Sequence, residues 1–118
     1  MAAVAAGNTV VLKPSELAPA SSTILAEIIK AAFNPQHVAV VEGGAELGKE
    51  LLEHSFDNWF YTGSERVGRL YGEAAARCLA PITLELGGKC PVVVADDAPI
   101  ETTVERIITT KFFNAGQT

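Results

Sequence analysis

Only two cysteines, Cys78 and Cys90, occur in the 118 residues. Their spacing matches no zinc or redox signature, so neither a disulfide framework nor a structural metal organises this chain. Long apolar runs are lacking too, the longest being of strand length, against roughly 20 residues for a bilayer-spanning helix. The opening Met1-Ala2-Ala3-Val4-Ala5-Ala6-Gly7 has no basic segment of the kind that begins a secretory signal. There is no run of Lys or Arg, and a formal charge of −5 with a pI near 4.9 gives no electrostatic footprint for nucleic acid or an anionic membrane. A small anionic ligand would need local donors. His37 and His54 have no carboxylate or Cys at triad or metal spacing. These absences point to a reduced, cytoplasmic setting with no nucleic-acid partner, no membrane contact from this segment and no metal. What is present is ample apolar content, 48% against 19% charged, enough for a globular core.

Along the chain, periods of two and of 3.6 alternate. Thr9 to Leu12 is a β-branched run stopped by Lys13-Pro14, a short strand. Ile24, Leu25, Ile28, Ile29, Ala32 and Phe33 repeat at helical spacing up to Asn34-Pro35, which predicts a helix from about Ser21 to Phe33 capped by Ser21 or Ser22. Val38 to Val41 reads as a second strand, Gly43-Gly44 as a turn, and Leu47, Leu51 and Leu52 as a shorter amphipathic helix. Asn58 to Tyr61 gives a third strand. Val67, Leu70, Tyr71, Ala74, Ala75 and Cys78 form one helical face. Ile82 to Leu86 makes a fourth strand, Val92 to Ala95 a fifth, and Ile100, Val104, Ile107, Ile108 and Phe112 the buried face of a last helix. The alanine-rich opening reads as the tail of a helix with Gly7 as its stop.

This alternation is that of βαβ units over a mostly parallel sheet with flanking helices, an α/β fold. One junction departs from it: only five residues separate Leu86 from Val92, and a parallel crossover needs about a dozen or more. The fifth strand is therefore expected to run antiparallel or to leave the sheet. Gly87-Gly88 becomes a boundary between a nucleotide-type domain, 1–87, and the start of a second, 88–118, with Glu85 at the cleft between them.

Three segments carry candidate chemistry. Tyr61-Thr62-Gly63-Ser64-Glu65-Arg66-Val67-Gly68 is a strand, a glycine turn and a helix start, where free backbone N–H groups and the helix dipole suit a pyrophosphate. It lacks the middle glycine of the standard dinucleotide fingerprint, and a glycine turn with a Ser cap is the plain alternative. Lys13-Pro14-Ser15-Glu16 ends the first strand at the edge where open α/β sheets bind ligands. Lys13 as donor and Glu16 as acceptor could grip vicinal ribose hydroxyls; a solvated turn with a surface ion pair is the alternative. Glu85, between Leu84 and Leu86 with glycines behind it, is expected to be partly desolvated, its pKa raised, and poised as a general base. A strand residue facing solvent is the competing reading. Cys78, on an apolar helix face, and Cys90, with neither a His nor a helix start beside it, read as structural.

Taken together, Ala5-Ala6-Gly7-Asn8, Val10-Val11-Leu12-Lys13-Pro14-Ser15-Glu16, Thr62-Gly63-Ser64 with Val67-Gly68, Leu84-Glu85-Leu86-Gly87-Gly88-Lys89 and Phe113-Asn114-Ala115-Gly116-Gln117-Thr118 resemble the aldehyde dehydrogenase superfamily over essentially the whole chain. The wording of Tyr61-Thr62-Gly63-Ser64 and Asn114-Ala115-Gly116-Gln117-Thr118 is most similar to the class 3 branch of fatty, aromatic and coniferyl aldehyde dehydrogenases. The resemblance implies a Rossmann-like NAD(P)-binding domain over 1–87 and the beginning of a catalytic domain over 88–118, each a truncated piece of a longer enzyme. It implies NAD or NADP as cofactor, a small-molecule aldehyde as substrate and a homodimer in the full-length protein. Lys13 and Glu16 would contact the adenosine ribose, Gly63 to Gly68 would form the dinucleotide turn with Ser64 near the pyrophosphate and Val67 against adenine, and Leu86 and Gly87 would be further cofactor contacts. Glu85 would be the general base. The nucleophilic Cys would follow Thr118 directly, and the oxyanion-stabilising Asn would precede Met1. Cys90 stands where the family more often has Ser and is no substitute nucleophile. On this resemblance the chain by itself is inactive, and a non-catalytic nucleotide-binding or subunit-interaction module of the same fold is the alternative.

Overall fold

The computed structural model describes residues 2–116, and contacts divide the chain into two compact units, Met1–Gly87 and Gly88–Thr118. The first unit opens with a single helical turn, α1 (Ala2–Ala5). Gly7, at φ +85°, ends it: the Asn8 N–H donates to the Ala3 carbonyl and the Gly7 N–H to that of Val4, each at 3.0 Å. This is the paired arrangement that uses up orphan carbonyls at a helix end, with glycine at the left-handed position. The chain then enters strand β1 (Val10–Leu12), crosses through helix α2 (Pro19–Ala32) and returns as β2 (Val38–Val40), parallel to β1 with Val10 opposite Val38. Helix α3 (Ala45–Leu51) leads to a second unit of the same kind: β3 (Trp59–Gly63), α4 (Glu65–Arg77) and β4 (Ile82–Leu86), again parallel, with Trp59 opposite Ile82 and Gly63 opposite Leu86.

The α/β alternation and the parallel pairing agree with the sequence pattern, but the four strands form two separate two-stranded sheets. Each sheet is the product of one βαβ crossover, and α3 joins the two units without its flanking strands sharing a ladder.

The start of α2 corrects one expectation. The cap residue is Ala18, with Pro19 in the first turn, and Ser22 lies inside the helix. Proline supplies the helical φ and lacks the N–H that would be orphaned there, so no hydroxyl cap is needed. Ser22 is instead buried, and its hydroxyl donates to the Ser15 carbonyl at 2.7 Å. Ala26, one turn further along, is buried as well.

The core of the second βαβ unit is aromatic. Trp59, 6% exposed, and Ala74 and Ala75 of α4 form its centre, with Leu52, Phe56, Tyr71, Ala80 and Ile82 packed around it. Edge-on contacts of Trp59 to Phe56 and Tyr71, at 4.8 and 5.6 Å between ring centres, have the geometry aromatic pairs prefer. The Arg77 guanidinium donates to the Leu52 carbonyl at 2.8 Å and ties the end of α4 to the end of α3.

The second unit contains one helix, α5 (Ile100–Lys111), and a short turn, Phe113–Gly116. Two expectations fail here. Val92 to Ala95 forms no strand, because a β-branched run needs a ladder partner and the described residues of this unit include no other strand. Likewise the apolar face of α5 is not buried: Ile100, Val104, Ile108 and Phe112 are exposed, since their own unit offers no layer for them to pack on. Among the described residues, no helix is long and apolar enough to cross a membrane.

Candidate cofactor site

In both βαβ units the chemistry-bearing residues follow the C-terminal ends of strands. Lys13 leaves β1 and folds back along the chain. Its ammonium donates to Glu16 Oε2 at 2.8 Å and to the Pro14 carbonyl at 3.1 Å. The Lys13 side chain is only 14% exposed, and a Cβ on Gly48 of α3 would come within 3.9 Å of its Cε. The aliphatic stem is therefore covered by α3 while the charge reaches Glu16, as long cationic side chains commonly arrange themselves. The Glu16 carboxyl is held below its ordinary value by the hydrogen bond from Lys13, with help from a backbone hydrogen bond and the lysine charge. Around them the loop is tied down: Ser15 Oγ accepts from the Leu17 N–H, and the Ser15 carbonyl accepts from Ser22 and from the Ala18 N–H.

The ion pair of the plain alternative is thus formed, yet it leaves capacity for a ligand. An ammonium has three donors, and two are engaged. One ammonium hydrogen remains, and the Glu16 carboxylate keeps lone pairs beyond those met by Lys13 and its backbone hydrogen bond, so the pair still offers a donor and an acceptor.

The glycine turn sits at the end of the other unit. Ser64 caps α4, its hydroxyl accepting from the Val67 N–H at a long 3.4 Å, so the Ser cap is present as well. The N–H groups of Glu65 and Arg66, at the first two positions of α4, have no acceptor within the helix. Gly68 is buried, and a Cβ there would approach Leu86 Cδ2 to 2.8 Å, so a side chain at this position would push the end of Leu86 aside. Leu86 in turn lies opposite Gly63 in the ladder, which brings Gly63, Gly68 and Leu86 together. Gly87 follows and ends this unit. Tyr61 stacks on Tyr71 at 4.5 Å between ring centres. The Tyr71 hydroxyl has its pKa pushed up, first by burial and then by the neighbouring Tyr61 and Glu16.

Glu85 corrects the sequence reading of its surroundings. It lies opposite Thr62 on the sheet face away from α4, it is exposed, and Leu84 and Leu86 on either side are themselves 38% and 39% exposed. The expected desolvation does not occur, because flanking leucines in a strand point to the other face and cannot cover the residue between them. The cysteines also differ from expectation, both being exposed. Cys78 caps the C-terminus of α4 with its thiol 3.6 Å from Ser55 Oγ, and Cys90 has a positive φ of 43°. His37 and His54 lie edge-on to Phe33 and Phe56, and no cluster of metal-ligating side chains occurs among the described residues. Of the final motif, Gln117 and Thr118 lie outside the described residues; Asn114 and Ala115 adopt left-handed backbone angles.

Two contributors were missed from sequence: Gly48, which makes room for the Lys13 stem, and the Tyr61–Tyr71 pair beneath the turn. Gly48 sits in a helix with no local signal. The tyrosines, ten residues apart, become neighbours only when α4 folds back on β3.

The profile of the aldehyde dehydrogenase family matches residues 1–118. The chain belongs to this family. Among curated aldehyde dehydrogenases, family 3 member H1 of Arabidopsis thaliana is 52% identical over 116 residues, 98% of this chain and 24% of the relative. Among solved structures, the substrate-bound state of Staphylococcus aureus AldH superposes with a TM-score of 0.94 at 46% identity, covering 98% of this chain and 25% of that one. An aldehyde dehydrogenase of Mycobacterium tuberculosis complexed with NAD+ gives a TM-score of 0.81 at 37% identity, covering 93% and 23%. The chain therefore spans about a quarter of the length of the aldehyde dehydrogenases it matches, and its resemblance to the class 3 branch is matched by relatives carrying the family 3 name.

Proposed function

We propose that this chain is the coenzyme-holding part of an NAD(P)-dependent aldehyde dehydrogenase that oxidises an aldehyde to the carboxylic acid. Residues 1–87 act as the NAD(P)-binding domain and residues 88–118 as the beginning of the catalytic domain. The observation that carries the reading is the pairing of Lys13 with Glu16 at the end of β1, which leaves one donor and one acceptor for the vicinal hydroxyls of a ribose. The turn Gly63–Gly68 adds the second requirement, a tight glycine turn followed by a helix start for phosphate. Ser64 serves the pyrophosphate, Val67 the adenine, and Leu86 with Gly87 the wall beside Gly63. When bound, the nicotinamide ring accepts the hydride that leaves the substrate carbon.

Glu85 is the general base of this scheme. It draws a proton from the water that hydrolyses the thioester formed on the nucleophilic Cys, the residue that would follow Thr118. Its exposed carboxylate, without a hydrogen bond among the described residues, is free to hold such a water. The full-length enzyme is expected to work as a homodimer.

NADH or NADPH titrated into the chain should give saturable binding, and a chain that bound neither would end the reading. In a protein extended through the Cys, Glu85→Gln should slow thioester hydrolysis by about 10²–10⁴-fold while sparing the first burst of NADH. Unchanged hydrolysis would remove Glu85 from its role.

A further inference from the structure

The side chain that lies against the glycine turn belongs to Tyr61, which the reading above leaves without a task. Tyr61 and Gly63 point to the same face of β3, two residues apart. The Tyr61 ring is held by its stack on Tyr71, at 4.5 Å and 24° between planes, and it leans along the strand toward the turn. A Cβ on Gly63 would collide with the Tyr61 hydroxyl and stand 2.8 Å from its Cζ. A Cβ on Gly68 would stand 3.6 Å from its Cε1. The phenol thus occupies the space left by the absent Gly63 side chain, with its hydroxyl at the strand end. That hydroxyl makes no hydrogen bond among the described residues, whereas the Ser64 hydroxyl is turned back to cap Val67.

Charge at this turn makes a neutral donor useful. Glu65 opens the first turn of α4, and the Arg69 guanidinium is committed to it. Apart from the exposed Arg66, a pyrophosphate approaching here is met by backbone N–H groups and hydroxyls. We infer that Tyr61 is a cofactor-contacting residue whose hydroxyl donates a hydrogen bond to a pyrophosphate oxygen of the dinucleotide seated at Gly63–Gly68. This rests on the dehydrogenase reading and names a donor that reading does not use. Stacking on Tyr71 holds the ring in place before the cofactor arrives, so little rotamer freedom is lost on binding.

The test compares the parent chain with Tyr61→Phe, each titrated with NADH, ADP and adenosine. Tyr61→Phe keeps the stack and the packing against Gly63 and Gly68, so its melting temperature should match the parent. Its affinity for NADH and for ADP should fall by roughly tenfold, as loss of a hydrogen bond to a charged oxygen predicts, with adenosine unaffected. Equal affinity of Tyr61→Phe and parent for ADP overturns the assignment, as does an equal loss for adenosine. A parent that binds neither NADH nor ADP overturns the dehydrogenase reading together with it, so the two failures are distinct.

Discussion

Leu79 follows the C-cap of α4 at φ +53°, a backbone region that costs a non-glycine residue about 1–2 kcal/mol. The Leu79 N–H donates to the Ala76 carbonyl and the Ala80 N–H to that of Ala75, the same paired closure that Gly7 gives to α1. At 94% exposure the leucine recovers nothing by burial. Leu79→Gly should therefore raise stability by about 0.5–1 kcal/mol, the relief of strain less the extra chain entropy of glycine. Thermal or urea denaturation reads the change, and a destabilised variant would show that the leucine has a partner. At the same scale, the Lys13–Glu16 pair makes a signed prediction about pH. The Glu16 carboxyl is depressed from 4.5, so the pair's contribution is complete above that value and is lost as pH falls through the lower folded-state value. With Glu16 open to solvent the effect on global stability is slight. It should be plain in a carboxyl NMR titration: Lys13→Met should move the Glu16 midpoint back up toward 4.5, and an unmoved midpoint would mean the lysine is not its cause. The Lys13–Glu16 ion pair and the strand–glycine–helix turn at Gly63 were legible in the sequence because both are local geometry set by residue type and spacing. The exposure of Glu85 was not, since Thr83-Leu84-Glu85-Leu86 alternates the same way whichever face is covered.

At the scale of elements, strands and helices were legible wherever period and punctuation agreed. Ile82 to Leu86 is a strand over the residues expected, bounded by Pro81 and Gly87-Gly88. Asn34-Pro35 ends α2 as foreseen, one residue earlier than its apolar pattern. The failures share a cause. A serine near a helix start reads as a cap, yet Pro19 starts α2 and Ser22 turns inward; Val92 to Ala95 has strand composition, yet a strand exists only with a partner. Propensity is local, and ladders and caps are not. The inward turn of Ser22 has its own consequence, because its 2.7 Å bond to the Ser15 carbonyl fastens α2 to the loop carrying Lys13 and Glu16. Ser22→Ala should cost about 1 kcal/mol, the net worth of one such bond. It should also quicken hydrogen exchange at the Leu17 and Ala18 amides, both bonded within that loop. Unaltered exchange there would mean that the loop holds itself.

For the molecule as a whole, the balance of covered and uncovered apolar surface decides behaviour. Parallel sheets ordinarily have both faces covered. Here α4 covers one face of β3–β4, and the other presents Phe60 at 70% exposure. Ile24, Leu25 and Ile28 make a stripe on the free side of α2, with Ala20 and Ser21 continuing a shallow apolar depression. No large side chain is fully buried among the described residues. Uncovered apolar stripes of this kind promote association, so the chain by itself should associate or aggregate as concentration rises. Replacing the stripe tests which surface is responsible. Ile24→Lys with Ile28→Glu puts opposite charges one helical turn apart, a spacing at which such pairs cost α2 little helical preference. Both residues are more than half exposed, at 55% and 59%, and lie away from Ser22 and Ala26, which pack inward. The double variant should therefore keep its circular dichroism spectrum and melting temperature while sedimentation velocity shows less association. If association persists unchanged, the stripe is not its source, and the uncovered sheet face at Phe60 becomes the surface to charge next.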